Sequence, residues 1–130
     1  MASVRVHTRI AAPADQVWKV VSDAGNVADW FPPIARSSSE GTTRIVQLHN
    51  GPVIHEDIVT SDRVLRRFQH AIRSGLPVDS HLATIDVLED GSGALVVYGA
   101  DVTPPEAASM MAGILSDALD GLKRFVESAA

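Results

Sequence analysis

The sequence contains no cysteine. That excludes disulfides and thiolate metal sites and fits the reducing cytoplasm, the expected location. Aromatic residues make up only 5% of the chain, so few bulky side chains are on hand to plug an interior space. No run of basic residues occurs and the formal net charge is -5. Nucleic acid and anionic membrane are therefore not expected as partners. No segment approaches the roughly 20 consecutive apolar residues of a membrane span, so no membrane insertion is expected. Arg5 and Arg9 have no apolar run behind them, and a secretory signal is not expected. There is no HExxH, no nucleotide-binding loop and no nucleophile motif; Gly91-Ser92-Gly93 reads as a hairpin turn. His55-Glu56-Asp57 is rich in ligand types, but adjacent strand residues face opposite ways. Neither a metal nor a cofactor is expected.

What is present is an alternation of apolar and polar residues, closed by one long amphipathic stretch. The chain of 130 residues is expected to form one domain, 1–130, with a core that needs no staples. From Ser3 to Ile10, Val4, Val6, Thr8 and Ile10 alternate with Arg5, His7 and Arg9, as in a half-buried strand. Ala12-Pro13-Ala14-Asp15 opens a short helix ending near Asp23-Ala24-Gly25. A second short helical turn around Val27 to Trp30 stops at Pro32-Pro33. Period-two patterning predicts strands near 34–39, 42–49, 53–60, 63–73, 79–89 and 94–102, with turn residues between most of them. Thr103 to Ser128 reads as one helix, with Met111, Leu115, Ala118, Leu119, Leu122 and Val126 on one stripe. Thr103 is placed to cap it, Pro104 suits its first position, and Glu106 follows three residues after the cap. Such a helix, coming after antiparallel strands, lies across the sheet and closes it. The fold class is α+β.

Inner faces follow from the alternation. Arg44, Val46 and Leu48 share one face; so do Ile54, Glu56 and Ile58; so do Phe68, His70 and Ile72. His81, Ala83, Ile85 and Val87 form a fourth set, and Val96, Tyr98, Ala100 and Val102 a fifth. Each set is mostly apolar and is taken as facing inward. The intruders are Arg44, Glu56, His70, His81 and Tyr98. Burying such groups without partners is costly, so their presence on apolar faces is the functional signal. Arg44 and Glu56 also fit a structural ion pair across neighbouring strands. His7, His49 and His55 fall on outward or loop positions.

Several segments, in this order, resemble the START-like (SRPBCC, or Bet v 1-like) superfamily. They are Ile10-Ala11-Ala12-Pro13-Ala14-Asp15-Gln16-Val17-Trp18, Trp30-Phe31-Pro32-Pro33, Gly41-Thr42-Thr43-Arg44 and Asn50-Gly51-Pro52. His55-Glu56-Asp57, Gly75-Leu76-Pro77-Val78-Asp79-Ser80-His81 and Thr103-Pro104-Pro105-Glu106 complete the set. The chain looks most like the polyketide cyclase/dehydrase-like bacterial relatives of the plant abscisic acid receptors. The resemblance implies a helix-grip fold: a curved six- to seven-stranded antiparallel sheet around a long C-terminal helix, two short helices after strand 1, and an internal pocket. It implies that Asn50-Gly51-Pro52-Val53 and Ser74 to Val78 correspond to the receptors' gate and latch loops, and that Glu56 matches a glutamate reaching the ligand. Two positions depart. Phe31 stands where the receptors carry a lysine for the ligand carboxylate, and His81 replaces a tyrosine. Both argue against abscisic acid, and against a carboxylate ligand unless an arginine serves instead.

Two functional readings follow. In one, the protein is a carrier or sensor that binds a small hydrophobic metabolite through Phe31, Arg44, Val46, Leu48, Glu56, Phe68, His70, Ile72, His81, Tyr98, Met111, Leu115 and Leu119. In the other, it is a cofactor-independent cyclase, dehydratase or isomerase. There His70 or His81 would be the acid or base, Glu56 would tune a histidine, and Arg44 or Tyr98 would stabilise an oxyanion. The oligomeric state, monomer or homodimer, is left open by the sequence.

Overall fold

The computed structural model describes residues 1–129. Strand β1 (Ala2–Ile10) leads into helix α1 (Ala14–Ser22) and a 3-10 helix (Ala24–Asp29). Six strands follow: β2 (Ile34–Glu40), β3 (Thr43–Leu48), β4 (Val53–Asp62), β5 (Arg67–Ser74), β6 (Ser80–Asp90) and β7 (Gly93–Thr103). A 3-10 turn (Pro105–Ala107) precedes the long helix α2 (Ala108–Ser128). All seven strands form one antiparallel sheet in the order β1-β7-β6-β5-β4-β3-β2. This is the α+β helix-grip arrangement expected from the sequence.

Alternation decides which face is buried. On β6, His81, Ala83, Ile85 and Val87 are buried while their neighbours are not; on β7 the buried set includes Val96, Tyr98, Ala100 and Val102. Helix α2 meets that face with Met111, Leu115, Ala118, Leu119, Leu122 and Val126, a stripe at steps of three and four. Each large apolar side chain buried this way contributes about 1.5–3 kcal/mol. The C-terminal end of α2 is tied to the β1–α1 turn. Lys123 Nζ donates to the Arg9 carbonyl at 2.6 Å, and the Ala11 N–H donates to Glu127 Oε2 at 2.9 Å. Gly121 lets α2 press against the end of the 3-10 helix, because a Cβ there would sit 2.2 Å from the Trp30 carbonyl oxygen. Register shifts in the β4–β5 pairing at His55/Glu56 and Ile58/Thr60 mark bulges, which bend and twist a sheet.

Three boundaries differ from the sequence expectation. The helix expected from Thr103 begins at Ala108, because Thr103 still pairs with Ser80 in the ladder and its carbonyl accepts the Asp79 N–H. Pro104 is extended (φ -70, ψ 162), and no side chain caps either the 3-10 turn or α2. The strand expected from Arg63 begins at Arg67. Asp62 Oδ1 accepts the N–H groups of Val64 and Leu65, which folds residues 63–66 into a turn with Arg66 at φ 52. The second short helix is a 3-10 helix that starts earlier, at Ala24.

Candidate functional site

Arg44, Glu56, His70 and His81 are the buried polar or charged side chains among the described residues, and Tyr98 is buried with them. They come from five neighbouring strands, and the pairing explains why they meet. Arg44 lies directly opposite Glu56 across β3 and β4. Glu56 faces Ile72 on β5, two residues from His70 on the same face. His70 lies opposite Ala83 on β6, which lies opposite Ala100 on β7, two residues from Tyr98. Ala83 is small and fully buried, so the rings of His70 and Tyr98 reach each other over β6.

The side chains form a chain of contacts. Arg44 Nε donates to Glu56 Oε1 at 2.7 Å, and the guanidinium stacks over the Phe68 ring, 5.4 Å from its centroid. A second Arg44 nitrogen, Nη1, reaches the Ala24 carbonyl at 3.4 Å. Glu56 Oε2 lies 3.2 Å from His70 Nδ1, though off the direction of the ring N–H, so the contact is electrostatic rather than a directed hydrogen bond. His70 Nε2 lies 2.9 Å from the Tyr98 hydroxyl. A lone pair on Nδ1 would repel the carboxylate. His70 therefore carries a proton on Nδ1, and its Nε2 faces the Tyr98 hydroxyl. The order is carboxylate, imidazole, hydroxyl.

Electrostatics follow from burial and neighbours. Burial alone would raise the Glu56 pKa, but His70 and Arg44 overcome it and hold the carboxyl well below the usual range. Burial, then the charge of Glu56, pushes the Tyr98 hydroxyl well above its ordinary value. Tyr98 thus stays protonated and acts as a donor. His81 is pushed down to about 4, by burial first and then by the neighbouring His70, so it is neutral near pH 7. Its Nδ1 accepts the Ile72 N–H at 3.1 Å. That N–H is free because the β5–β6 ladder ends at His70 and Ala83.

These groups line one part of a cavity of about 140 Å³ between the sheet, the 3-10 helix and α2. Apolar cavities of roughly 150 Å³ hold a single benzene-sized ring. The remaining walls are apolar: Val46, Ile54, Phe68 and Ile85 from the sheet, Met111 and Leu115 from α2. Half-buried Phe31, Leu48, Leu76 and Ile114, with exposed Pro33 and Asp117, form the more open end. Gly75 joins the two flanking loops. At φ +107 it lies against the Val53 backbone, where a Cβ would come within 2.3 Å of the carbonyl oxygen.

A family model described as polyketide cyclase / dehydrase and lipid transport matches residues 1–127. The chain belongs to that family. No curated protein matches the sequence. Among solved structures, XoxI from Bacillus cereus is 27% identical, with a TM-score of 0.91 and coverage of 100% of this chain and 99% of that one. A START superfamily protein from Mycobacterium smegmatis is 14% identical, with a TM-score of 0.76 over 98% of this chain and 95% of that one. A point mutant of norcoclaurine synthase from Thalictrum flavum, in complex with a transition state analogue, is 20% identical, with a TM-score of 0.77 over 98% and 95%. The last two share the fold. The START-like resemblance carried by the motifs holds.

In this polyketide cyclase/dehydrase family member, Phe31, Arg44, Val46, Leu48, Glu56 and Phe68 all line the one cavity, as do His70, Ile72, His81, Tyr98, Met111 and Leu115. Leu119 does not. It is buried one turn past Leu115, in the packed core beyond the cavity. His7, His49 and His55 are exposed. Unforeseen wall residues include Val27 from the 3-10 helix, Trp30 just after it, Val21 from α1, Leu76 from the loop after β5, and Ile114 on the flank of α2. For Leu76 the loop correspondence was a signal; for the others, strand alternation carries none. Trp30 Nε1 is buried without a partner. Among the described residues, no group of three or more His, Asp or Glu is placed to hold a metal ion, and no helix is long and apolar enough to cross a membrane.

Proposed function

We propose that this protein binds a small, largely apolar molecule in the cavity between the sheet and α2, as a cytoplasmic carrier or sensor. The molecule's polar end meets the Arg44, Glu56, His70, Tyr98 and His81 cluster, and its apolar body lies along Phe68, Met111 and Leu115. One observation carries this reading. The polar side chains of an otherwise apolar interior all converge on one cavity. A merely structural set of buried polar groups has no reason to border a void, which forfeits packing on one side. The loops at 50–53 and 74–78 touch at Gly75 and flank the open end, where their movement would admit ligands larger than the present volume. Native mass spectrometry of the protein from the expressing cell tests this. An adduct of defined small mass, lost when Leu115→Trp fills the cavity, supports binding; protein free of adduct that also takes up no apolar probe rejects it.

A second reading, a cofactor-independent cyclase or dehydratase, is favoured by the Glu56–His70–Tyr98 sequence of contacts. In it Glu56 holds the His70 proton on Nδ1, and His70 Nε2 passes a proton to or from the substrate, directly or through Tyr98. His81 is then a hydrogen-bond donor rather than a base, since its Nδ1 is occupied by Ile72. Recovery of a bound compound unchanged after long incubation favours the carrier; recovery as product that Glu56→Gln and His70→Gln each abolish favours the enzyme.

A further inference from the structure

The polar end of the cavity has an asymmetry of hydrogen-bonding capacity that restricts what fits there. Its buried carboxylate has a partner on each oxygen. Arg44 is committed to Glu56 by Nε at 2.7 Å, and the other oxygen of Glu56 faces His70 Nδ1 at 3.2 Å. The Tyr98 hydroxyl is committed to His70 Nε2 at 2.9 Å. His81 differs. The splay of β5 from β6 leaves the Ile72 N–H without a strand partner, and His81 Nδ1 accepts it at 3.1 Å. A backbone N–H facing Nδ1 forbids a proton on that nitrogen, so the proton of the ring sits on Nε2. Nε2 has no protein partner among the described residues, and His81 lines the cavity. Two residues lining the largely apolar space therefore carry uncommitted donors, His81 with Nε2–H on the sheet wall and Trp30 with Nε1–H beside the 3-10 helix.

We infer that the ligand is an uncharged compound of about one-ring size that presents a carbonyl oxygen to His81 Nε2–H, and that carboxylates and amines are rejected. The inference rests on the binding reading above and narrows it to a chemical class. A carboxylate would bring a second negative charge beside Glu56, which already holds the one nearby guanidinium through Nε. An ammonium would bring a donor to a donor, and the carboxylate at that end, Glu56, is already held by Arg44. Either leaves an uncompensated ion in a low-dielectric site. A hydrocarbon of the same shape fits the walls but leaves the His81 donor bare.

The test is a near-neutral-pH titration of the full chain with cyclohexanone, methylcyclohexane, cyclohexylamine and cyclohexanecarboxylate, followed by amide NMR, with long-range 15N spectra of the imidazoles. Cyclohexanone is expected to bind about tenfold tighter than methylcyclohexane, the worth of one buried neutral hydrogen bond. The amine and the carboxylate are expected to bind at least about a hundredfold more weakly than the ketone. The His81 ring is expected to show the Nε2–H tautomer before addition and a shifted Nε2 signal on ketone binding. His81→Leu is expected to bring the ketone-to-hydrocarbon affinity ratio to about one. Should that variant not fold, the imidazole spectra of the unaltered protein decide alone. Equal or tighter binding of methylcyclohexane, preferential binding of an ion, or a proton on His81 Nδ1 overturns the inference while leaving the cavity reading intact. Binding of none of the probes removes both.

Discussion

Replacing Glu56 with glutamine isolates the electrostatic centre of the site. The side chain keeps its shape and an acceptor for Arg44 Nε but loses its charge. Arg44 and Glu56 are 5% and 6% exposed, and their contact distance is 2.7 Å. At an effective dielectric constant of about 20, unit charges about 4 Å apart attract by about 4 kcal/mol. Breaking a buried pair by removing one partner costs about 3–5 kcal/mol, because the other charge is stranded. Glu56→Gln is expected to lie in that range, a large part of the roughly 5–15 kcal/mol that holds a domain together. Urea unfolding followed by the fluorescence of Trp18 and Trp30 reads it. The paired change Arg44→Met with Glu56→Leu removes both charges and is expected to recover most of the loss. Acid gives an independent arm. The folded pKa of Glu56 is depressed from 4.5, so its contribution is complete above that value and is lost as pH falls through the lower folded value. The wild type is expected to lose stability in that acid range, and Glu56→Gln to lack that part of the slope. A cost below about 1 kcal/mol, typical of exposed pairs, would refute the reasoning by showing that the pair is hydrated.

Other outcomes follow from the same geometry. Ala83→Leu crowds fully buried space beneath the His70–Tyr98 contact and is expected to cost about 1–3 kcal/mol in urea unfolding. Gly121→Ala places a Cβ 2.2 Å from the Trp30 carbonyl oxygen, whereas Gly113→Ala meets nothing within 4 Å. The first is expected to lower the melting temperature; the second is expected to stabilise α2 by up to about 1 kcal/mol. His81 has its pKa held at about 4 against an ordinary value of 6.5. Its neutral form therefore supports folding above pH 6.5, and that support drains away as pH falls toward 4. His81→Leu is expected to flatten this part of the stability profile while costing about 1–3 kcal/mol near neutral pH, because the Ile72 N–H is left bare.

Much of the candidate site was legible because the signal for burial is thermodynamic. Arg44, Glu56, His70, His81 and Tyr98 each interrupt an apolar face of a strand, and period two is a rigid geometric constraint, so facing inward could be read residue by residue. The start of α2 was not. Thr103-Pro104-Pro105-Glu106 has the composition of a helix cap, but the pairing of Thr103 with Ser80 keeps that residue in the sheet. The turn at 63–66 was hidden by Val64 and Leu65, which are apolar yet 83% and 60% exposed. Their conformation is set by Asp62 beneath them. Leu119 shares a stripe with Leu115, but helical periodicity gives a direction and not where along the helix the cavity ends. The walls supplied by Trp30, Leu76 and Ile114 depend on how a 3-10 helix, a loop and a helix flank come together. The bond from Ile72 to His81 depends on where two strands part. Neither is written in local pattern.

The claim beneath all of this is that a molecule occupies the space between the sheet and α2. A titration with cyclohexanone watched in the amide spectrum tests it directly. Saturable shifts confined to cavity-lining positions such as Ile72, His81, Tyr98, Met111 and Leu115 are predicted. A spectrum unchanged at millimolar ligand, or shifts scattered over exposed strands and turns, would contradict it.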